Sequence, residues 1–210
     1  MKSPLGVILA GGQATRLGGS DANLVDKGLM QLGGRVILDH VLARFEPQVA
    51  QLVLNANGDA SRFKAFNLPV IADAPGDLAG PLAGILAGLD YAAVHGFDHI
   101  VTAAADTPFL PPDLVPQLQL QAEITGAPVV LSATPCPTRK QQRQPTFGLW
   151  SVDLRDDLRA ALSDGLRKIV AFTQPRGNAY AEFALTGDVN PFFNVNTPED
   201  LAQAHEILKG

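Results

Sequence analysis

The sequence predicts a single three-layer α/β domain around a mostly parallel sheet. Four short apolar runs, at residues 5–9, 49–54, 70–72 and 100–105, each have the length of a buried strand. Stretches with helical periodicity separate several of them, and that alternation is the pattern of crossover connections in a parallel sheet. The chain has 210 residues, 46% of them apolar. That is enough for one substantial core and short of the roughly 250–300 residues at which chains usually divide into domains.

The elements follow in order. Residues 5–9, "LGVIL", form the first strand and open into the glycine-rich "AGGQATRLGG". In "VILDHVLARF", Ile37, Leu38, Val41, Leu42 and Phe45 share one helical stripe. "GPLAGILAGLDYAAV" repeats the pattern with Leu82, Ile85, Leu86 and Leu89, and Pro81 suits a first helical turn. "APVVLSA" reads as a strand, "TRKQQRQPT" as an exposed polar loop, and "PTFGLW" as a return strand near the sheet edge. "SVDLRDDLRAAL" has the pattern of a helix; "NTPEDLAQAHEILKG" does too, with Pro198 near its start and Asn196 or Thr197 as its cap. An irregular C-terminal lobe is expected over the carboxyl edge of the sheet.

Composition narrows the function. Sixteen Lys and Arg against twenty-one Asp and Glu give a net charge of -5, so there is no global attraction for nucleic acid or an anionic membrane. No apolar run approaches the roughly 18–20 residues of a spanning helix, and "MKSPLGVILAGG" does not read as a secretory signal. A cytoplasmic location is expected, as is a monomer, since no large apolar partner face stands out. Cys136 has no second thiol to pair with, and His40, His95, His99 and His205 form no zinc-binding pattern.

In open α/β sheets ligands gather beyond the carboxyl ends of the strands, where the loop after residues 5–9 leads. Gly11 and Gly12 let backbone amides approach a phosphate, Arg16 adds paired donors, and Gly18 with Gly19 permits another bend. The loop matches neither the dinucleotide fingerprint nor the P-loop. It suits a polyphosphate, with a structural turn or another ligand as the alternatives.

Asp106 lies just beyond "HIVTAAA", where a carboxylate can hold magnesium against phosphate oxygens, or else cap a turn. Asp73 and Asn55 stand at two further strand ends. Both offer polar groups to a base or sugar, although Asn and Asp also close turns. The backbone around Gly80 and Pro81 could approach the base.

Taken together, "LAGG", Asp26 with Lys27, Asn55, Asp73, "GPLAG", "DTPFLPPDL", "PTFGLW" and "FFNVNTPEDL" resemble the molybdenum cofactor guanylyltransferase family over nearly the whole chain. The resemblance implies a Rossmann-like nucleotidyltransferase fold spanning residues 1–210. Its N-terminal part, to about residue 110, would bind GTP; residues 111–210 would contribute the molybdopterin site. It further implies that Leu9, Ala10, Gly11 and Gly12 frame the nucleotide, that Lys27 and Arg16 meet its phosphates, and that Asn55 and Asp73 contact the guanosine. Asp106 would hold magnesium, with Arg16, Lys27 and Asp106 as the catalytic set. Asn194 and Asn196, with Arg167 and Lys168, would serve the pterin.

The chain departs from the family in one place, where "SDANLV" separates Gly19 from Asp26; an outward loop of that length costs little. The implied reaction transfers GMP from GTP to the terminal phosphate of molybdopterin, with or without its molybdenum. Transient contacts with cofactor-insertion proteins and apo-molybdoenzymes would follow. A cytidylyltransferase for the same pterin or a related phosphorylated substrate is the enzymatic alternative. A non-catalytic nucleotide-binding partner is the other.

Overall fold

The structure is a computed structural model that describes residues 1–11, 26–73, 80–136, 138–187 and 189–209. Gly12, Arg16 and the "SDANLV" segment lie outside the described residues.

The strands are β1 (Leu5–Leu9), β2 (Gln31–Leu32), β3 (Arg35–Val36), β4 (Gln51–Asn55), β5 (Val70–Ile71), β6 (His99–Ala104), β7 (Val129–Cys136), β8 (Arg139–Ser151) and β9 (Ala179–Glu182). The helices are α1 (Ile37–Phe45), α2 (Pro81–His95), α3 (Leu114–Thr125), α4 (Arg155–Ser163), α5 (Ile169–Thr173) and α6 (Pro198–Lys209). Among the described residues, seven strands form one sheet in the order β5-β4-β1-β6-β8-β7-β9, while β2 and β3 make a small separate hairpin. The pairs β4–β5, β1–β4, β1–β6 and β7–β9 are parallel; only β8 runs against both of its neighbours.

The three layers are present. One face of the sheet packs against Ile37, Leu38, Val41 and Phe45 of α1, Leu114 and Leu118 of α3, and Ala204 of α6. The other packs against Leu82, Ile85, Leu86 and Leu89 of α2, Leu158 and Leu162 of α4, and Phe172 of α5. Helix α2 is buried almost all round from Leu82 to Leu89, because it lies between the sheet and α4. Burying one such aliphatic side chain contributes about 1.5–3 kcal/mol.

Two sequence expectations are corrected. The "TRKQQRQPT" segment is strand rather than loop: β8 pairs with β7 through Ala133 opposite Arg143, Thr134 opposite Gln142 and Cys136 opposite Arg139. Backbone pairing alone makes that ladder, so polar side chains at exposed Gln142 and Arg143 do not prevent it. The return strand is also internal, lying between β6 and β7, because β7 and β9 add outside it. Buried neighbours on both faces explain its apolar Phe147, Leu149 and Trp150.

Strand β1 is the topological switch point. From it the chain passes through α1 on one face to β4, then through α2 on the other face to β6. A crevice opens where connections diverge in this way. Just past the strands, Ala10 N donates to Asn55 O (2.8 Å) and Ala105 N to Leu9 O (3.1 Å), so three strand ends are held side by side at its floor.

Candidate active site

That crevice holds a cavity of about 480 Å³, within the range of small-ligand clefts, roughly 300–1,000 Å³. Leu9 at the end of β1, with Ala10 and Gly11 after it, runs along its wall. Asn55 ends β4 and Asn57 lies beyond it, Asp73 follows β5, and Ala104 ends β6 with Ala105 and Asp106 beyond it. Gly80 and Pro81 close it from the start of α2, and Asn194 from the crossing segment before α6. One cavity therefore gathers Leu9, Ala10, Gly11, Lys27, Asn55, Asp73, Gly80, Pro81, Asp106 and Asn194 from the residues singled out in the sequence.

At one end stand Asp106 and Lys27. The Lys27 ammonium lies 3.8 Å from Asp106 Oδ2, with each side chain 19% exposed. Burial pushes the Asp106 carboxyl above the ordinary carboxylate range, against the opposing pull of the Lys27 charge. Lys27 Nζ also donates to Asn196 Oδ1. The backbone of the crossing segment is tied to the same acid, since Val195 N donates to Asp106 O at 2.9 Å. Thr107 Oγ1 donates to Asn194 Oδ1. Val195 between the two amides is fully buried, as the alternation of an extended segment requires.

Helix α6 fixes this crossing. The Asp200 carboxylate accepts from Asn196 N and Thr197 N (both 2.9 Å), and Asp200 N donates to Thr197 Oγ1 (3.1 Å). This reciprocal cap makes Thr197 the cap residue and leaves the Asn196 side chain to Lys27.

At the other end Asp73 is clasped by two amides. Asn55 Nδ2 donates to its Oδ1 and Asn57 Nδ2 to its Oδ2, each at 2.8 Å, while Asp73 N donates to Asn57 Oδ1 at 2.9 Å. Each carboxylate oxygen keeps a second lone-pair direction for a ligand donor. Asn55 is only 4% exposed, and a side chain at position 84 would place its Cβ 2.1 Å from Asn55 Oδ1, so Gly84 is what admits this amide. Gly80 precedes α2 with φ +92°, a backbone that L side chains rarely adopt.

Arg167 and Lys168 do not line the cavity. Arg167 Nη1 donates to Leu162 O and Leu166 O after α4 (both 2.8 Å), and Lys168 is exposed before α5. Among the lining residues that the sequence reading passed over are Asn57, Phe63 and Thr146. Asn57 had a signal, standing two residues beyond Asn55 where an extended chain faces the same way. Phe63 and Thr146 had none, because only packing brings them to the crevice.

The arrangement suits a nucleotide: backbone and a cation beside an acid at one end, hydrogen-bonding groups at the other, in the crevice where α/β sheets take nucleotides. A family model described as the MobA-like NTP transferase domain matches residues 6–179, and the chain belongs to that family.

Its relatives agree over nearly full length. A molybdenum cofactor guanylyltransferase of Mesorhizobium japonicum is 44% identical over 208 residues, covering 97% of this chain and 95% of its own. Another, from Cereibacter sphaeroides strain ATCC 17029, is 43% identical over 206 residues, covering 97% and 96%. Among solved structures, molybdopterin-guanine dinucleotide biosynthesis protein A from Archaeoglobus fulgidus superposes with TM-score 0.74 at 25% identity over 98% of both chains. A 2-C-methyl-D-erythritol 4-phosphate cytidylyltransferase from Thermus thermophilus shares the fold, with TM-score 0.73 at 19% identity and full coverage of both.

Proposed function

We propose that this chain transfers GMP from GTP to the terminal phosphate of molybdopterin and releases diphosphate. The observation that carries the reading is the single crevice in which Lys27 and Asp106 face the Asn55–Asp73 clasp. Near-full-length identity above 40% to guanylyltransferases supports the choice of reaction.

In this reading Asp73, braced by Asn55, accepts from the guanosine, and the backbone at Gly80 and Pro81 lies along it. Leu9, Ala10 and Gly11 carry the nucleotide toward Lys27, with Gly12 and Arg16 completing the phosphate cradle. A phosphate oxygen of the acceptor attacks the α-phosphorus of GTP. A new P–O bond forms, the bond to the β-phosphate breaks, and diphosphate departs with the electron pair. A phosphate monoester is already largely ionised near neutral pH, its second pKa being about 6, so no alcohol-activating base is needed. Catalysis is alignment plus charge: Lys27, steered by Asn196, meets the negative charge that develops on the leaving group.

Magnesium fits the donor set. Asp106 presents one partly buried carboxylate at the crevice wall, and among the described residues no group of three acidic, His or Cys ligands stands ready for an ion. Magnesium commonly uses one or two carboxylates and takes its other ligands from phosphates and water. Asp106 would hold it, and it would neutralise phosphate charge during transfer.

The acceptor is assigned to the C-terminal half, at Asn194 and Asn196, with Arg167 and Lys168 supplying positive charge farther out. No helix of the described residues is long and apolar enough to cross a membrane.

Turnover with purified molybdopterin and each nucleoside triphosphate tests the proposal. Diphosphate release is expected with GTP only when the pterin is present. Preference for CTP, or GTP binding without pterin-dependent release, would overturn it.

A further inference from the structure

A side chain outside the cavity wall joins the two ends of the site. Arg62 lies in the 3-10 segment Ala60–Phe66. Its Nε pairs with the Asp26 carboxylate, directly before Lys27 in the chain. Its Nη2 donates to Asn57 O at 2.7 Å and its Nη1 to Asp59 O at 2.9 Å. The guanidinium carbon lies 4.8 Å from the ring centroid of Phe63, which lines the cavity.

The connection is continuous. Asn57 passes from Arg62, through its own carbonyl, to both the carboxylate and the backbone N–H of Asp73, and Asn55 holds the other carboxylate oxygen. At the far end, Lys27 reaches Asp106 and Asn196. A planar guanidinium suits this task because its two Nη groups donate to the Asn57 and Asp59 carbonyls while its Nε edge stands in an ion pair with Asp26; a lysine could keep the Asp26 pair while losing the fork. Partial burial, 28% exposure for Arg62 and 14% for Asp26, shields the pair from solvent.

We propose that Arg62 is a positioning residue that couples the phosphate end of the site, at Asp26 and Lys27, to the nucleoside end, at Asn57 and Asp73. The inference rests on the reading of Asp73 as the nucleoside contact. It requires that changing Asp26 weaken recognition of a nucleoside that has no phosphates, and that this influence vanish once Arg62 is removed.

The experiment is an equilibrium titration with guanosine, on variants shown to be folded by circular dichroism. Asp26→Asn should raise the Kd for guanosine about threefold or more, a coupling at the low end for residues sharing one network. In an Arg62→Met background the same change should have no further effect. Arg62→Lys serves as the background if the methionine variant does not fold, because it also loses the bonds to the Asn57 and Asp59 carbonyls.

An unchanged Kd in Asp26→Asn overturns the coupling. So does an equal fold-change in both backgrounds, which would mean direct contact between Asp26 and the nucleoside. Asp73→Ala distinguishes failure of the nucleoside assignment from failure of the coupling. If it leaves guanosine binding intact, the nucleoside assignment has failed and the coupling with it; if it weakens binding while Asp26→Asn does not, only the coupling has failed.

Discussion

At the scale of single residues, the role proposed for Asp106 sets function against stability. Burial raises its pKa above the value of the unfolded chain. The ionised form therefore costs stability above the folded pKa, and its stabilising contribution exists only at low pH, where the carboxyl is protonated. Asp106→Asn should have a Tm no lower than the parent at pH 8, and the difference should shrink as pH falls toward 4. Turnover should drop about 10²–10³-fold, the scale of losing one electrostatic stabiliser; near-parental turnover at limiting magnesium would overturn the proposal that Asp106 holds the ion. Turnover of the parent should fall with acidification above the usual carboxylate range, since the charged form is the one that binds a cation. Gly84 gives an independent check. Gly84→Ala puts a methyl into Asn55, so GTP affinity should fall while diphosphate release at saturating GTP changes less.

At the scale of an element, α6 does more than cover the sheet. Its capping pair sets the backbone from which Asn196 reaches Lys27. Thr197→Ala should lower stability by about 1 kcal/mol, the usual cost of a lost cap, and should raise KM for GTP. Thr197→Ser should preserve both, and an unchanged KM in the alanine variant would separate the cap from the site. The β7–β8 hairpin carries a lesson about legibility. Residues 127–133 read as a strand because they are apolar, whereas 138–144 do not, although both stretches contribute to the one β7–β8 ladder. Side-chain periodicity reports burial and leaves exposed backbone pairing silent. Short β9 and α5 escaped for a related reason, each offering too few residues to display a period.

At the scale of the whole molecule, seven strands share one sheet, and β8 joins the parallel N-terminal strands to β7 and β9. Trp150, the only tryptophan, is fully buried on β8 opposite Ile100 and Val129, and donates to Thr102 Oγ1 at 3.2 Å. It reports on the junction of the two halves. Urea unfolding followed by its fluorescence and by far-UV circular dichroism should give coincident transitions, as expected of one cooperative unit. Separated midpoints would show that the N-terminal and C-terminal halves unfold independently.

The layers and the strand-end positions of Asn55, Asp73 and Asp106 are legible in the sequence alone, because these depend on local periodicity and on chain order in a parallel sheet. The sequence also marked Lys27 and Asn196 as residues of interest. Only the tertiary structure decided that they bond to each other across 169 positions, that β8 is internal, and that Arg62 bridges the two ends of the crevice. The reason is physical: local pattern records which face of an element is buried, whereas side-chain partners are chosen by the packing of elements distant along the chain.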